Sequence, residues 1–160
     1  DILPDGSLDY NDEILSSFDF VVASIHSAMK MNEEKATARL ICAIENPHTT
    51  ILGHPTGRLL LSRPGYPIDH KKIIDACAAN KVVIELNANP NRLDIDWTWI
   101  PYCIEKGVMI SINPDAHKME GYHDMHYGTL AARKGGLTKQ MTFNALTLEE
   151  IEKWFLEKKK

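Results

Sequence analysis

The feature that most constrains this chain is a repeated alternation between short, wholly apolar runs and stretches with helical spacing. "FDFVVASI" (18–25) precedes "NEEKATARLICAIEN" (32–46), and "TTILG" (49–53) precedes "IDHKKIIDACAANK" (68–81). "KVVIELN" (81–87) precedes "DWTWIPYCIEKG" (96–107), and "GVMISIN" (107–113) precedes "GYHDMHYGTLAARKGG" (121–136). Runs that are apolar throughout, rather than at every second residue, are the strands of sheets covered on both faces. Their alternation with helices predicts parallel βα units and an α/β fold. Ala36, Leu40, Ile41 and Ile44 mark the buried stripe of the first long helix. Ile73, Ile74 and Cys77 mark that of the second, with Ile68 poorly placed on it. "TLEEIEKWFLEKKK" closes the chain as a helix whose Thr147 and Glu150 have capping-box spacing. At 160 residues, with no low-complexity linker, residues 1–160 are expected to belong to one domain. The four strands suit either a small open sheet or part of a larger barrel.

Charge narrows the function classes. The formal net charge is −4, and the one basic cluster is the terminal "EKKK". Gripping nucleic acid through phosphates needs clustered Lys and Arg, so this piece alone is not expected to do it. No apolar run approaches the roughly 18 residues of a membrane span. Cys42, Cys77 and Cys103 are an odd set without CxxC spacing, set in apolar segments. That suits reduced, inert core thiols and a cytoplasmic location.

The histidines are sorted by the rule that parallel α/β sites lie at the carboxyl ends of strands. His26 ends the first strand in "ASIHS" and His54 the second in "GHPTGR". Glu85 and Asn87 end the third in "ELNANP", and Asp115 and His117 follow the fourth in "NPDAH". His48, His70, His123 and His126 fall elsewhere and read as surface or capping residues. Imidazole with carboxylate is a ligand set for Zn²⁺, Mn²⁺ or Fe. His26, His54, Asp115 and His117 are therefore candidate metal ligands.

Taken together, "DILPDGSLDY", "VVASIHS", "AIENP", "ILGHPTGRLLL", "IELNANPNRLD" and "SINPDAH" resemble the PHP family (polymerase and histidinol phosphatase), in the branch attached to bacterial family X DNA polymerases. The resemblance implies a distorted seven-stranded β/α barrel with up to three divalent metals at its carboxyl rim. It would give His26 and His54 to one metal, Asp115 to a second and His117 to a third, with Asp115 and His117 taking part in catalysis. It also implies that roughly the first third of the domain is missing from this chain, including an H-x-H motif and a bridging Glu.

The implied activity is metal-dependent phosphoester hydrolysis at DNA ends, of 3′→5′ exonuclease type, by metal-activated water. DNA affinity would come mostly through the polymerase of the same parent. Arg58 is a candidate phosphate clamp, since guanidinium matches phosphate bidentately. Asn87 is a candidate for orienting a ligand or water near the substrate. A small-molecule phosphatase of histidinol-phosphate type and an inactive scaffold are the alternative readings.

Overall fold

The computed structural model describes residues 1–158. Four strands, β1 (Val21–Ala23), β2 (Thr49–Leu52), β3 (Val83–Asn87) and β4 (Ile110–Asn113), form one parallel sheet. Their order across the sheet is their order in the chain. A short helix α1 (Asp12–Leu15) precedes β1, and α2 (Glu33–Glu45), α3 (His70–Asn80) and α4 (Ile100–Glu105) fill the three crossovers. Helices α5 (Met125–Lys134) and α6 (Leu148–Lys158) follow β4. Crossovers of one hand between successive neighbours place their helices on one side of the sheet, as in a barrel wall. The described residues supply four strands of such a wall, against the seven implied by the family resemblance.

The two faces differ, which the apolar runs did not foretell. On the helix side, Leu52, Ile84, Leu86, Ile110 and Ile112 join Leu40 and Ile44 of α2, Ile73, Ile74 and Cys77 of α3, and Ile100 and Cys103 of α4 in one core. On the other face Ile51 and Val83 pack with Phe143, and with Trp154 and Phe155 of α6. Towards the carboxyl ends that same face turns polar. Glu85 stands beside Ser111, and Asn87 beside Asn113. Alternation along a strand places residues two apart on one face, so a hydrophobic floor gives way to a polar rim.

Local chemistry explains the element ends. Asn32 caps α2 by accepting from Lys35 N, and Asp69 caps α3 by accepting from Lys72 N. Ile68 lies outside α3, just before its cap, and is buried there, which accounts for its poor fit to the helical stripe. Thr147 and Glu150 make the reciprocal capping box of α6: Thr147 N donates to Glu150 Oε2 at 2.7 Å and Glu150 N to Thr147 Oγ1 at 3.3 Å.

Two expectations are corrected. The first strand is three residues long rather than eight, and Phe18, Phe20 and Val22 are exposed because it is the outer strand of the sheet. Cys42 is exposed, on the side of α2 turned away from its Leu40–Ala43–Ile44 stripe, whereas Cys77 and Cys103 are buried. The β4 edge is closed: Thr142 bridges Ile110, while Asn144 Oδ1 accepts from Ile112 N at 3.2 Å and its amide donates back to Ile112 O. Among the described residues, no helix is long and apolar enough to cross a membrane.

Candidate metal centre

His26 and His54 leave adjacent strands β1 and β2 and meet. Their Nε2 atoms are 3.2 Å apart. Two donors each about 2.1 Å from one ion, at tetrahedral to right angles, lie about 3.0–3.4 Å from each other. The pair therefore fits a shared divalent cation. The Nδ1 of His26 is 2.6 Å from Asp1 Oδ1, so the carboxylate fixes the proton on Nδ1 and leaves Nε2 as the donor to a metal. His54 is buried, and burial first, then the nearby Arg92 and His26, pushes its pKa down to about 4. It is neutral at pH 7, the form that binds metals. Its Nδ1 is buried without a hydrogen-bond partner.

The second pair comes from the loop after β4. His117 Nδ1 donates to the Asp115 carbonyl at 2.8 Å, which fixes the tautomer and turns Nε2 outward. Its side chain is 85% exposed. Asp115 Oδ2 accepts from Asn87 Nδ2 at 3.1 Å and lies 3.5 Å from Arg92 Nε. Its Oδ1 has His117 Nδ1 at 4.0 Å.

Glu85 ties the pairs together. Its Oε2 accepts the His54 backbone N–H at 2.7 Å, and its Oε1 accepts from Asn113 Nδ2 at 2.9 Å. Burial raises its pKa, against the opposing pull of these hydrogen bonds. Asn87 bridges the remaining gap, donating to Asp115 and lying 3.5 Å from Glu85 Oε2. His54, Glu85, Asn87 and Asp115 thus form one hydrogen-bonded chain along the carboxyl rim. Both His54 (φ +25°) and Asp115 (φ +52°) hold left-handed backbone conformations that side chains other than glycine rarely adopt. Strain of this kind concentrates at functional sites.

The four predicted ligands make two pairs on this rim rather than one preformed cluster. Among the described residues, no group of three or more His, Cys, Asp or Glu side chains is placed to hold a metal ion.

No family model matches the chain. It is 44% identical over 152 residues to the DNA polymerase/3′-5′ exonuclease PolX of Bacillus subtilis, an alignment covering 95% of this chain and 27% of that protein. It is 28% identical over 166 residues to a protein named probable phosphatase from Thermoanaerobacter, covering 98% of this chain and 64% of the relative. A probable phosphatase of Clostridium novyi is 27% identical over 124 residues, covering 70% of this chain and 47% of that protein. The match to the polymerase runs nearly end to end through this chain. These likenesses support a PHP-domain fragment of the kind found in a family X polymerase. The chain spans about a quarter of the polymerase and under two thirds of these phosphatases.

Arg58 is placed differently from the expectation of a free phosphate clamp. Its Nε donates to Arg92 O at 2.8 Å, its Nη1 pairs with Asp96 Oδ2 at 2.7 Å, and its Nη2 donates to Leu93 O. All three nitrogens serve the loop after β3. The sequence reading passed over Asp1, which holds His26, and Arg92, which faces Asp115. It also missed Asp94, a buried carboxylate that accepts from Thr56 N at 3.0 Å in the His54 loop. For Arg92 and Asp94 the signal was present: "NRLDID" packs a cation and two acids just past a strand end.

Proposed function

We propose that this chain contributes the carboxyl rim of a metal-dependent phosphoesterase that hydrolyses phosphoester bonds at DNA ends, 3′→5′, within a longer protein that also polymerises DNA. The observation that carries the reading is the 3.2 Å approach of the His26 and His54 Nε2 atoms. His26 and His54 would hold one cation, and Asp115 and His117 would serve others in a seven-stranded barrel with up to three metals. Zn²⁺, Mn²⁺ and Fe all suit these donors. When bound, such cations supply Lewis acidity to a phosphoryl oxygen and bring the pKa of a water towards neutrality.

The chain's own residues do the positioning. Asp1 holds the His26 ring, Glu85 holds the backbone of His54, and Asn87 holds one oxygen of Asp115. The Asp115 carboxylate offsets cationic charge while the imidazoles add none. With a net charge of −4, the chain would depend on the polymerase of the same protein for most DNA affinity. Exposed Cys42 and two buried thiols suit the reducing cytoplasm.

A second reading, a phosphatase of small phosphomonoesters, is favoured by the relatives named phosphatase that align with 98% of this chain. One experiment tests both: count Mn²⁺ bound by equilibrium dialysis for the chain and for His54→Ala, then assay the parent with a primer 3′ end and with a small phosphomonoester. The expected result is that His54→Ala loses Mn²⁺ and primer degradation while nucleotide addition persists. Primer degradation unchanged in His54→Ala would overturn the proposal, and activity on the phosphomonoester alone would favour the second reading.

A further inference from the structure

The loop between β3 and the 3₁₀ turn at Trp97–Trp99 is pinned far more firmly than a solvent loop requires. Leu60 N donates to Asn91 O at 2.6 Å, and Arg92 N and Leu93 N both donate to Asn89 O, at 2.8 and 3.0 Å. Arg58 takes the carbonyls of Arg92 and Leu93 and anchors itself on Asp96. Leu93 is held at φ +45°. What this scaffold presents to the rim is the side chain of Arg92.

Arg92 is about one-fifth exposed, and its Nε lies 3.5 Å from Asp115 Oδ2. That oxygen already accepts the shorter bond from Asn87 at 3.1 Å, so Arg92 makes a loose ion pair rather than a second strong hydrogen bond. Among the described residues, its terminal amino groups donate to no protein acceptor. The other arginines near the rim are committed: Arg58 to the loop, Arg63 to Gly57 O through Nε and Nη2, and Arg39 to backbone carbonyls in the core. A planar guanidinium with open N–H groups beside a candidate ligand carboxylate is suited to two oxygens of a phosphoryl group.

We propose that Arg92 is the residue that receives the phosphoryl oxygens of the substrate, and that Arg58 acts behind it by fixing the loop that carries it. The substrate class is a phosphate ester whose phosphoryl oxygens meet the Nη groups of Arg92, on the side of the guanidinium away from its Nε contact with Asp115; this rests on the phosphoesterase reading above. The competing account is that Arg92 only steadies Asp115.

The test uses inorganic phosphate, titrated calorimetrically into the chain with and without Mn²⁺, alongside a Mn²⁺ count by electron paramagnetic resonance. Arg92→Gln is expected to weaken phosphate binding about tenfold to a hundredfold while retaining the Mn²⁺ stoichiometry. Arg92→Lys, a point charge without the fork, is expected to weaken it by less, and remains informative if the Gln variant folds poorly. Phosphate binding unchanged in Arg92→Gln overturns the proposal. Loss of Mn²⁺ together with phosphate in both variants also overturns it and makes Arg92 a positioning residue. A chain that takes up no Mn²⁺ counts against the metal reading. In that event the metal-free titration decides: phosphate binding that depends on Arg92 upholds the proposal, and binding that is absent or independent of Arg92 overturns it.

Discussion

Asp115 carries two burdens, a carboxylate at a rim already holding Glu85 and a backbone at φ +52°. Asn tolerates the left-handed region at least as well as Asp, whereas a β-branched residue does not. Asp115→Asn is therefore expected to keep stability within about 1 kcal/mol while losing Mn²⁺ affinity, and Asp115→Val to cost about 1–3 kcal/mol more. Urea unfolding and metal titration of the two variants check both halves; equal stability would show that the backbone is not strained there. The cysteines give a second residue-scale expectation. Burial raises the thiol pKa of Cys77 and pushes that of Cys103 up to about 12. Cys42 is exposed. One thiol per chain, Cys42, should react with a maleimide under native conditions and all three in denaturant, as intact mass would read. Apolar neighbours in the sequence suggested three buried thiols, but which side of α2 meets the sheet is set by packing.

At the scale of elements, the loop 89–96 and helix α5 aim the rim. Arg58 joins Asp96 and two carbonyls, so Arg58→Ala leaves three partners without their donor and is expected to cost about 1–3 kcal/mol. Hydrogen exchange should rise at 91–93 first; uniform protection across the loop would refute the clamp. Burial alone would raise the Asp96 pKa, but hydrogen bonds from Thr98 and the Arg58 charge outweigh it and hold the carboxyl below its usual range. A depressed carboxylate contributes stability that is present above its unfolded value of about 3.9 and is lost as pH falls through the folded one. Asp96→Asn should accordingly flatten the acid limb of the stability curve. Helix α5 crosses the sheet at Gly128, where a Cβ would stand 2.4 Å from Ala88 Cβ and 2.7 Å from Ile112 Cγ2. Gly128→Ala is expected to destabilise by about 1–3 kcal/mol and to shift α5 relative to the Asp115–His117 loop. Thermal melts and Mn²⁺ affinity would read the two effects separately.

The whole molecule is asymmetric at its two sheet edges. Asn144 and Thr142 close β4, while β1 leaves Val22, Phe20 and Phe18 in solvent. Open apolar edges invite pairing with other chains, so the isolated chain should self-associate with rising concentration and Val22→Lys should shift it towards monomer. Light scattering or sedimentation checks this; a wild-type monomer at high concentration would refute it. The run of apolar and helical segments was enough to give the parallel α/β wall, because burial and helix period are written in local residue spacing. The strand-end positions of His26, His54, Asp115 and His117 were legible for the same reason. The two pairs they form, the turn of Arg58 away from the rim and of Arg92 towards it, and the exposure of Cys42 were not. Those depend on which side chains meet across strands, and such contacts are set by packing between residues tens of positions apart, which no local pattern encodes.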